Sequence, residues 1–349
     1  MPSASSISER FVDGVNGLRM HVLEAGTRGS PCVLLLHGFP ELAYSWRKVM
    51  PMLGAAGYHV IAPDQRGYGK TTGWDAKDLD QFFILNIVED AVQLLGNKKC
   101  YLVGHDFGSL VAGYAALTRP ERFHSVTLMS APFGGPPSTL PDPRIHEELA
   151  KIGRKHYQWY YSTPEADPDM LRCPQGVHAF LRAYYHMKSA DWPANKPYRL
   201  QSWTAKELAK LPTYYVMRKD ENMAQTVAPE MPQGEAPWLT DKELAVYAEA
   251  FERTGFQASL NWYACMTTPR FIQKLISLEK KSVDIPACYI AGAADWGIYQ
   301  KPGELERMEA ACKSWHGTHL VAGAGHWVQQ EKPEETGRLL VDFFRHVST

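Results

Sequence analysis

The sequence predicts an α/β fold in which a mostly parallel sheet carries helices on both faces. Strand-length apolar runs alternate with helical patterns in the first part of the chain, and this alternation returns near the end. Between them lies a long segment that is helical and aromatic. A helical cap is therefore inserted after the sixth strand. We predict a core in two parts, 1–136 and 269–349, with the cap at 137–268.

The elements of the first core part follow from local patterns. Residues 11–15 and 18–25 flank Asn16-Gly17, a strong signal for a two-residue hairpin. Residues 32–36 form a continuous apolar run, as expected for a strand buried on both faces. The remaining predicted elements are a helix at 46–56, a strand at 59–62, a helix at 82–95 that ends at Gly96, a strand at 100–103, a helix at 107–117 and a strand at 125–129.

The inserted segment begins after a linker rich in proline and glycine at 131–143. Residues 144–268 show helical patterns and hold five of the ten tryptophans. Within them we predict a long loop at 218–237. The elements predicted after the insertion are a strand at 287–291, a helix at 303–312, a strand at 319–322 and a closing helix at 333–346.

The composition excludes several classes of function. Lysine and arginine number 37 against 38 acidic residues, and the charges are spread along the chain. We therefore expect no nucleic-acid or anionic-membrane partner, and no apolar run is long enough to span a membrane. The six cysteines are scattered, without a Cys-x-x-Cys pair, which favours a reducing compartment, the cytoplasm by default.

The most informative motif is the segment 103–108 (VGHDFG), which joins a predicted strand to a predicted helix. Small residues around one polar residue in a strand-turn-helix are typical of a nucleophile elbow. Here the polar residue is Asp106, whose carboxylate can attack carbon and form an ester. The plainer alternative is that Asp106 only caps the following helix.

Two further residues complete a triad with Asp106. Asp295 follows the predicted strand 287–291, and His326 follows the last predicted strand. The order of nucleophile, acid and base is the one used by α/β hydrolases. Since the carboxyl ends of parallel strands meet at one edge of a sheet, we expect the three side chains to converge. His326 would activate water, and Asp295 would orient its ring.

The loop at 37–41 (HGFPE) follows the buried strand 32–36 and is the expected source of an oxyanion hole. The backbone N–H groups of Phe39 and Phe107 are its predicted donors. We expect no metal site, because no cluster with metal-ligand spacing accompanies the histidines. Nor do we expect a nucleotide: 69–71 (GKT) resembles the end of a phosphate-binding loop, but Asp64 occupies the position of its first glycine.

With these residues together, the chain closely resembles the soluble epoxide hydrolases of the α/β-hydrolase superfamily. The resemblance runs from about residue 11 to residue 346. It is carried in the core by 37–41 (HGFPE), 66–69 (RGYG), 104–108 (GHDFG) and 325–327 (GHW). Most members carry tryptophan after the nucleophile, whereas this chain has Phe107. The resemblance implies an α/β-hydrolase fold and a reaction without a cofactor.

The resemblance also implies two proton donors in the cap. Family members protonate the epoxide oxygen with two tyrosines, and the matching residues here are Tyr157, in 157–161 (YQWYY), and Tyr263, in 260–263 (LNWY). An error of register would make Tyr160 the first donor instead. The resemblance further suggests substrate contacts in the core and cap. The residues expected to make them are His37, Pro40, Trp159, Trp262 and Trp327.

The implied reaction converts an apolar epoxide and water to a vicinal diol through an ester on Asp106. A dehalogenase on the same scaffold is the nearest alternative. Haloacid-cleaving relatives place arginine after the nucleophile and histidine where Gln158 stands, and haloalkane relatives use a tryptophan where Phe107 stands. An alternative of another class is a non-catalytic member that binds an apolar ligand. The sequence leaves the natural substrate and the oligomeric state open.

Overall fold

The computed structural model describes residues 6–348. The outer ends of the two predicted core parts, residues 1–5 and 349, lie outside these residues. Within residues 6–348 there are ten strands, numbered in chain order. They are β1 (Ser8–Val15), β2 (Leu18–Ala25), β3 (Cys32–Leu36), β4 (His59–Pro63), β5 (Cys100–His105), β6 (Phe123–Met129), β7 (Arg154–His156), β8 (Val216–Arg218), β9 (Val283–Gly292) and β10 (Cys312–Val321).

The same residues form fifteen α-helices and five short 3₁₀ segments. The α-helices are α1 (Met50–Ala55), α2 (Ile84–Leu95), α3 (Phe107–Thr118), α4 (Arg144–Lys151), α5 (Tyr157–Tyr161), α6 (Ala166–Leu171), α7 (Gly176–Lys188), α8 (Ala205–Leu208), α9 (Met223–Val227), α10 (Asp241–Thr254), α11 (Gln257–Thr267), α12 (Pro269–Ile276), α13 (Glu304–Ala311), α14 (Val328–Glu331) and α15 (Pro333–His346). The 3₁₀ segments are Ala43–Trp46, Leu79–Phe82, Pro120–Arg122, Ala228–Glu230 and Trp296–Ile298.

Eight of the described strands form one sheet in the order β1-β2-β4-β3-β5-β6-β9-β10. The pairs β1/β2 and β2/β4 are antiparallel, and the other five pairs are parallel. The predicted mostly parallel sheet is thus confirmed. Because β5, β9 and β10 run in the same direction, the segments that follow them emerge at one edge of the sheet.

Alternate residues of the buried strands pack on opposite faces of the sheet. Val33 and Leu35 of β3 join one apolar cluster with residues of α1 and α15, whereas Leu34 and Leu36 join a second cluster with residues of α2 and α3. This alternation follows from the two-residue period of a strand. Both faces of β3 are therefore buried, which is why its sequence is apolar throughout.

The segment between β6 and β9 holds α4 to α12 and a two-stranded ribbon of β7 and β8. Side chains of this cap contact loops at the carboxyl edge of the sheet. The Tyr185 hydroxyl donates to the carbonyl of Pro40 after β3, and the Trp262 indole donates to that of Arg66 after β4. The insertion after the sixth strand is confirmed, while the boundaries at 137 and 268 remain predictions.

The prediction of helices in the cap differs from the structure in two places. The ribbon of β7 and β8 was not expected, because strands of three residues are too short to show a period. The predicted loop at 218–237 contains α9, which begins at a capping box formed by Asn222 and Gln225. Each of these features depends on a few polar contacts that a hydrophobic pattern does not report.

Three core elements begin four or more residues away from their predictions. Strand β10 begins at Cys312 rather than near residue 319, because most of its residues are only partly buried and show no apolar run. Helix α1 begins at Met50 rather than near residue 46, with Pro51 in its first turn, where proline is tolerated. Strand β9 begins at Val283 rather than near 287 and includes Pro286. Before Ala287 the strand pairs only with β10, so the missing N–H of Pro286 disrupts no second ladder. No helix of residues 6–348 is long and apolar enough to cross a membrane.

Candidate active site

Asp106 stands at a sharp turn between β5 and α3. Its backbone lies at φ 53° and ψ −119°, a region that non-glycine residues rarely adopt. Two glycines permit the turn to pack closely. A Cβ on Gly104 would overlap the carbonyl oxygen of Gly108, and a Cβ on Gly108 would overlap that of Leu36. The strained turn therefore holds the carboxylate at the carboxyl end of β5.

His326 lies between Asp106 and Asp295 in the structure. Its Nδ1 is 3.1 Å from both carboxylate oxygens of Asp295, and its Nε2 is 3.2 Å from Oδ2 of Asp106. The second contact is close enough for an ion pair but is not aligned as a hydrogen bond, so Nε2 has no hydrogen-bond partner among residues 6–348. All three side chains are buried. The structure thus brings the predicted triad together.

The charges of the triad outweigh the effect of burial on both of its reactive groups. Burial raises the pKa of Asp106, but His326 and the charge of Lys188 hold it well below its ordinary value. Burial and Lys188 lower the pKa of His326, but Asp295 and Asp106 raise it above its ordinary value. We attribute the Asp106–His326 effect to charge rather than hydrogen bonding, because an ion pair acts at 3.2 Å whatever its alignment.

A buried polar network fixes the backbone of His326 from behind. His105 contacts Oε2 of Glu41 through Nδ1 at 2.6 Å and donates through Nε2 to the carbonyl of His326 at 2.7 Å. The Ser130 hydroxyl donates to the same carbonyl at 3.0 Å. Both ring nitrogens of His105 thus face oxygen atoms, which fixes the ring between Glu41 and the backbone of His326. Burial raises the pKa of Glu41, but the charge of His105 and the hydrogen bonds to the Glu41 carboxylate together outweigh burial, so the pKa lies below its ordinary value.

The two predicted oxyanion donors belong to the loop after β3 and to the first residue of α3, directly after Asp106. The N–H of Phe39 donates to Oδ1 of Asp106 at 3.0 Å. Phe107 is the first residue of α3, and an N–H at that position has no acceptor within its own helix. Oδ1 of Asp106 therefore has the N–H of Phe39 as one donor. The N–H of Phe107, at the start of α3, is free of intrahelical partners and is available as a second.

A narrow cavity opens in front of Asp106 between the core and the cap. It brings together the carboxylate, two cap phenols and a polar rim contributed by the loop after β9. The residues that line it are Asp106, Phe107, Leu110, Ala131, Pro132, Tyr157, Gln158, Tyr263, Met266, Gly297, Gln300, Lys301 and Glu304.

Tyr157 and Tyr263 both line this cavity and pack edge to face, with ring centroids 5.9 Å apart. The Tyr157 hydroxyl donates to Oε1 of Gln300 and accepts from Nε2 of Gln158, both at 3.2 Å. Burial and the charge of Asp106 raise the pKa of both phenols well above the ordinary value. Both tyrosines therefore carry their protons at neutral pH.

Tyr160, the alternative for the first of these positions, points elsewhere. Its hydroxyl donates to Oδ2 of Asp169 at 2.8 Å, and it is not among the residues that line the cavity. The geometry therefore favours Tyr157 over Tyr160 as the phenol nearest Asp106.

The five predicted substrate contacts do not lie on the cavity wall. The ring nitrogens of His37 contact the backbone of Gly38 and Gln65, and the Trp327 indole donates to the carbonyl of Tyr185. Trp262 and Pro40 make the cap contacts described above. Trp159 packs on His146 and His156. Their polar groups and rings hold the loops and the cap in position instead.

Sequence reasoning missed the residues of the polar rim. Gln300, Lys301 and Glu304 line the cavity, but none of them belongs to a motif that indicates a function. Gln158 also lines it and stands in the quoted motif 157–161, but no contact in the site was predicted for it. The pair of Glu41 and His105 was also not assigned, although both residues stand in quoted motifs at 37–41 and 104–108. The signal available was the position of His105 directly before Asp106 and the place of Glu41 in the loop that carries Phe39.

Comparison with known proteins agrees with this geometry. The family model described as alpha/beta hydrolase fold matches residues 31–333. Epoxide hydrolase A of Mycobacterium tuberculosis is 34% identical over 342 residues, which cover 96% of this chain and 97% of that protein.

Two solved structures are similar over nearly the whole chain. The crystal structure of epoxide hydrolase A from Mycobacterium thermoresistibile has a TM-score of 0.80 at 34% identity, covering 97% of this chain and 98% of that one. An epoxide hydrolase from an endophytic Streptomyces has a TM-score of 0.81 at 30% identity, covering 98% and 96%. The chain belongs to the α/β-hydrolase fold family and, within it, to the epoxide hydrolases.

Proposed function

We propose that this protein hydrolyses an apolar epoxide to a vicinal diol through a covalent ester on Asp106. The observation that carries the proposal is the cavity itself, which Asp106 shares with the phenols of Tyr157 and Tyr263. A nucleophile from the core and two proton donors from the cap in one cavity are what the opening of a strained ether requires. The names of the similar proteins support the same activity.

In the first step, Oδ2 of Asp106 attacks an epoxide carbon. The carbon–oxygen bond of the ring breaks, and the oxygen that leaves takes a proton from Tyr157 or Tyr263. The pKa of Asp106, held low by His326 against the effect of burial, keeps the carboxylate ionised for this attack. The alkoxide is a very poor leaving group without a proton, so a phenol hydrogen bonded to it stabilises the transition state.

In the second step, Nε2 of His326 removes a proton from water, and the hydroxide attacks the ester carbonyl. The oxyanion that forms sits on the N–H groups of Phe39 and Phe107, each worth about 3–4 kcal/mol in comparable sites. Collapse breaks the bond between the carbonyl carbon and the diol oxygen, and that oxygen takes the proton of the new carboxylic acid. The Asp106 carboxylate is thereby restored, and His326 keeps the proton that it took from water, as in the free enzyme.

The two steps need opposite charge states, and the ester links them. In the free enzyme the negative charge of Asp106 favours a protonated His326. Ester formation removes that charge, so the pKa of His326 falls as the intermediate forms, and its proton passes to the tyrosine phenolate left by the first step. The imidazole thus becomes a base at the step that needs one.

A single turnover in heavy-oxygen water tests the pathway. Because water attacks the carbonyl carbon of the ester, the label is expected in the peptide that holds Asp106, and the first diol carries the unlabelled carboxylate oxygen. Mass analysis of the peptide and the diol distinguishes the outcomes. Label in the diol with none in the peptide would show direct attack of water on the epoxide. A parallel panel of haloacids and haloalkanes tests the dehalogenase alternative.

The two cap tyrosines give a second test. We expect Tyr157→Phe and Tyr263→Phe each to lower the rate of ester formation and the double variant to lower it by about 10³-fold or more, since each donor supplies general acid catalysis. Single-turnover kinetics with one epoxide measures this rate. Tyr160→Phe is the matched control, because its hydroxyl bonds Asp169 rather than facing the cavity. An equal loss in that control would assign the proton to Tyr160 instead.

A further inference from the structure

Lys188 is a buried cation that the proposed mechanism does not use. It is the last residue of α7, and only 3% of its surface is exposed. No side chain of residues 6–348 forms an ion pair with it. Four aromatic rings surround the ammonium instead, with Nζ-to-centroid distances of 5.1 Å to Tyr215, 5.4 Å to Tyr184, 5.5 Å to Trp327 and 6.0 Å to Tyr214.

A lysine in such a place needs compensation for its lost hydration. Burial of an unpaired charge is costly, and the faces of aromatic rings offset part of the cost. The position of Lys188 at the carboxyl end of a helix adds a favourable interaction with the helix dipole. These features stabilise the charged form of the side chain where a methionine would pack at lower cost.

The backbone of Lys188 is joined directly to the loop that carries His326. The carbonyl of Lys188 accepts the N–H of His326 at 2.8 Å. A Cβ on Gly325 would clash with the carbonyl of Lys188 and with the next residue, Ser189. The two side chains are therefore held in a fixed relation.

We propose that Lys188 is a positioning residue that acts by its charge, disfavouring the protonated imidazole of His326 while the ester on Asp106 awaits hydrolysis. This inference rests on the proposed function. The aromatic cage holds the ammonium of Lys188 near His326. A neutral residue at position 188 would supply no such charge at the ester stage.

The charged groups around His326 determine the sign of the effect. Asp106 and His105 face it from the turn after β5, Asp295 from the loop after β9, and Lys188 from α7. Burial and Lys188 lower the pKa of His326, whereas the two aspartates raise it. Once Asp106 is esterified, Asp295 is the aspartate that still opposes Lys188, and the carboxyl of Glu331 lies behind the same loop, where it accepts the N–H groups of Gly325 and Trp327. Removal of the lysine charge therefore raises the pKa of His326 in the ester.

The pH dependence of ester hydrolysis tests this inference, because the rate falls on the acidic side where His326 becomes protonated. We call this fall the acidic limb. In Lys188→Met we expect the limb to move to higher pH by about one unit, a modest value for a nearby buried charge, while Lys188→Arg keeps it in place. Lys155→Met is the matched control, because Lys155 also lies over a cap ring, that of Tyr160 at 4.8 Å, away from His326. Single-turnover decay of the ester across a pH series measures the limb.

The outcomes separate a charge effect from a structural one. An equal loss of rate at every pH in Lys188→Met, with no shift, would assign Lys188 a packing role and overturn the inference. If this variant does not fold, the Asp106→Asn protein retains Lys188 and carries a neutral group where the ester forms. There an NMR titration is expected to give His326 a pKa below the ordinary histidine value, and a higher value contradicts the inference.

Failure of the proposed function would be recognised separately. If the unmodified protein opens no epoxide, the ester measurement cannot be made, but the NMR titration of His326 in Lys188→Met and in the unmodified protein needs no substrate. A higher pKa in the variant then supports the charge effect alone. An unchanged pKa overturns it, whatever reaction the protein catalyses.

Discussion

Asp106→Asn is expected to lower epoxide turnover by about 10⁴–10⁶-fold, the range seen when a nucleophile is removed from a comparable triad. The amide is a weak nucleophile and carries no charge, so neither the attack nor the ester can form. Asparagine tolerates the positive φ of this turn, so the elbow is expected to remain folded. Steady-state kinetics and intact-protein mass after exposure to an epoxide measure the two losses.

The control for this variant is a half-buried carboxylate outside the cavity. Asp169→Asn replaces the charged acceptor of the Tyr160 hydroxyl by an amide and is expected to keep most of the turnover. Deamidation would restore aspartate at position 106, so the measurement uses freshly prepared protein whose mass excludes reversion. Full activity under those conditions would remove Asp106 from the mechanism.

The parts of the fold that the sequence predicted well are those in which one local pattern determines the element. Strand β3 has the predicted bounds because both faces are buried and every residue is apolar. Helix α15 begins at Pro333, as proline in the first turn indicates. The hairpin around Asn16-Gly17 likewise needs no information from elsewhere in the chain.

The candidate site was predictable to the extent that its residues follow strands in motifs. Asp106, Asp295 and His326 each stand after a strand, and a parallel sheet brings such ends together. Gln300 and Lys188 had no such signal. Gln300 contacts Tyr157 across 143 residues of sequence, and Lys188 acquires its aromatic cage only when α7 packs on the loop at Trp327. Contacts of this kind depend on tertiary packing and leave no local pattern.

The five predicted substrate contacts that are not among the residues lining the cavity have a related explanation. A motif reports that a residue type recurs at a position, but not whether its side chain faces the cavity or the scaffold behind it. Trp262 and Trp327 each donate an indole hydrogen bond to a backbone carbonyl of another segment. Such tryptophans hold the cap on the core, and the cavity wall is formed by smaller and more varied side chains.

His326→Gln is expected to separate the two chemical steps. Ester formation needs only Asp106 and a proton donor, so one equivalent of substrate should be consumed and the ester should accumulate. Hydrolysis, deprived of its general base, should slow by about 10²–10⁴-fold. Intact-protein mass measures the adduct. His316→Gln, on strand β10 away from the triad, is the matched control and should show neither burst nor adduct.

The pH dependence of this variant gives a sharper test of the pairing. Burial raises the pKa of Asp106, and His326 is the group that most strongly lowers it. Without the imidazole that lowering is lost, so the pKa of Asp106 rises. Because attack requires the ionised carboxylate, ester formation in His326→Gln is expected to fail at a higher pH than in the unmodified protein. An unchanged acidic limit, or absence of any adduct with an epoxide that the unmodified protein hydrolyses, would contradict the assignment of His326 as the partner of Asp106.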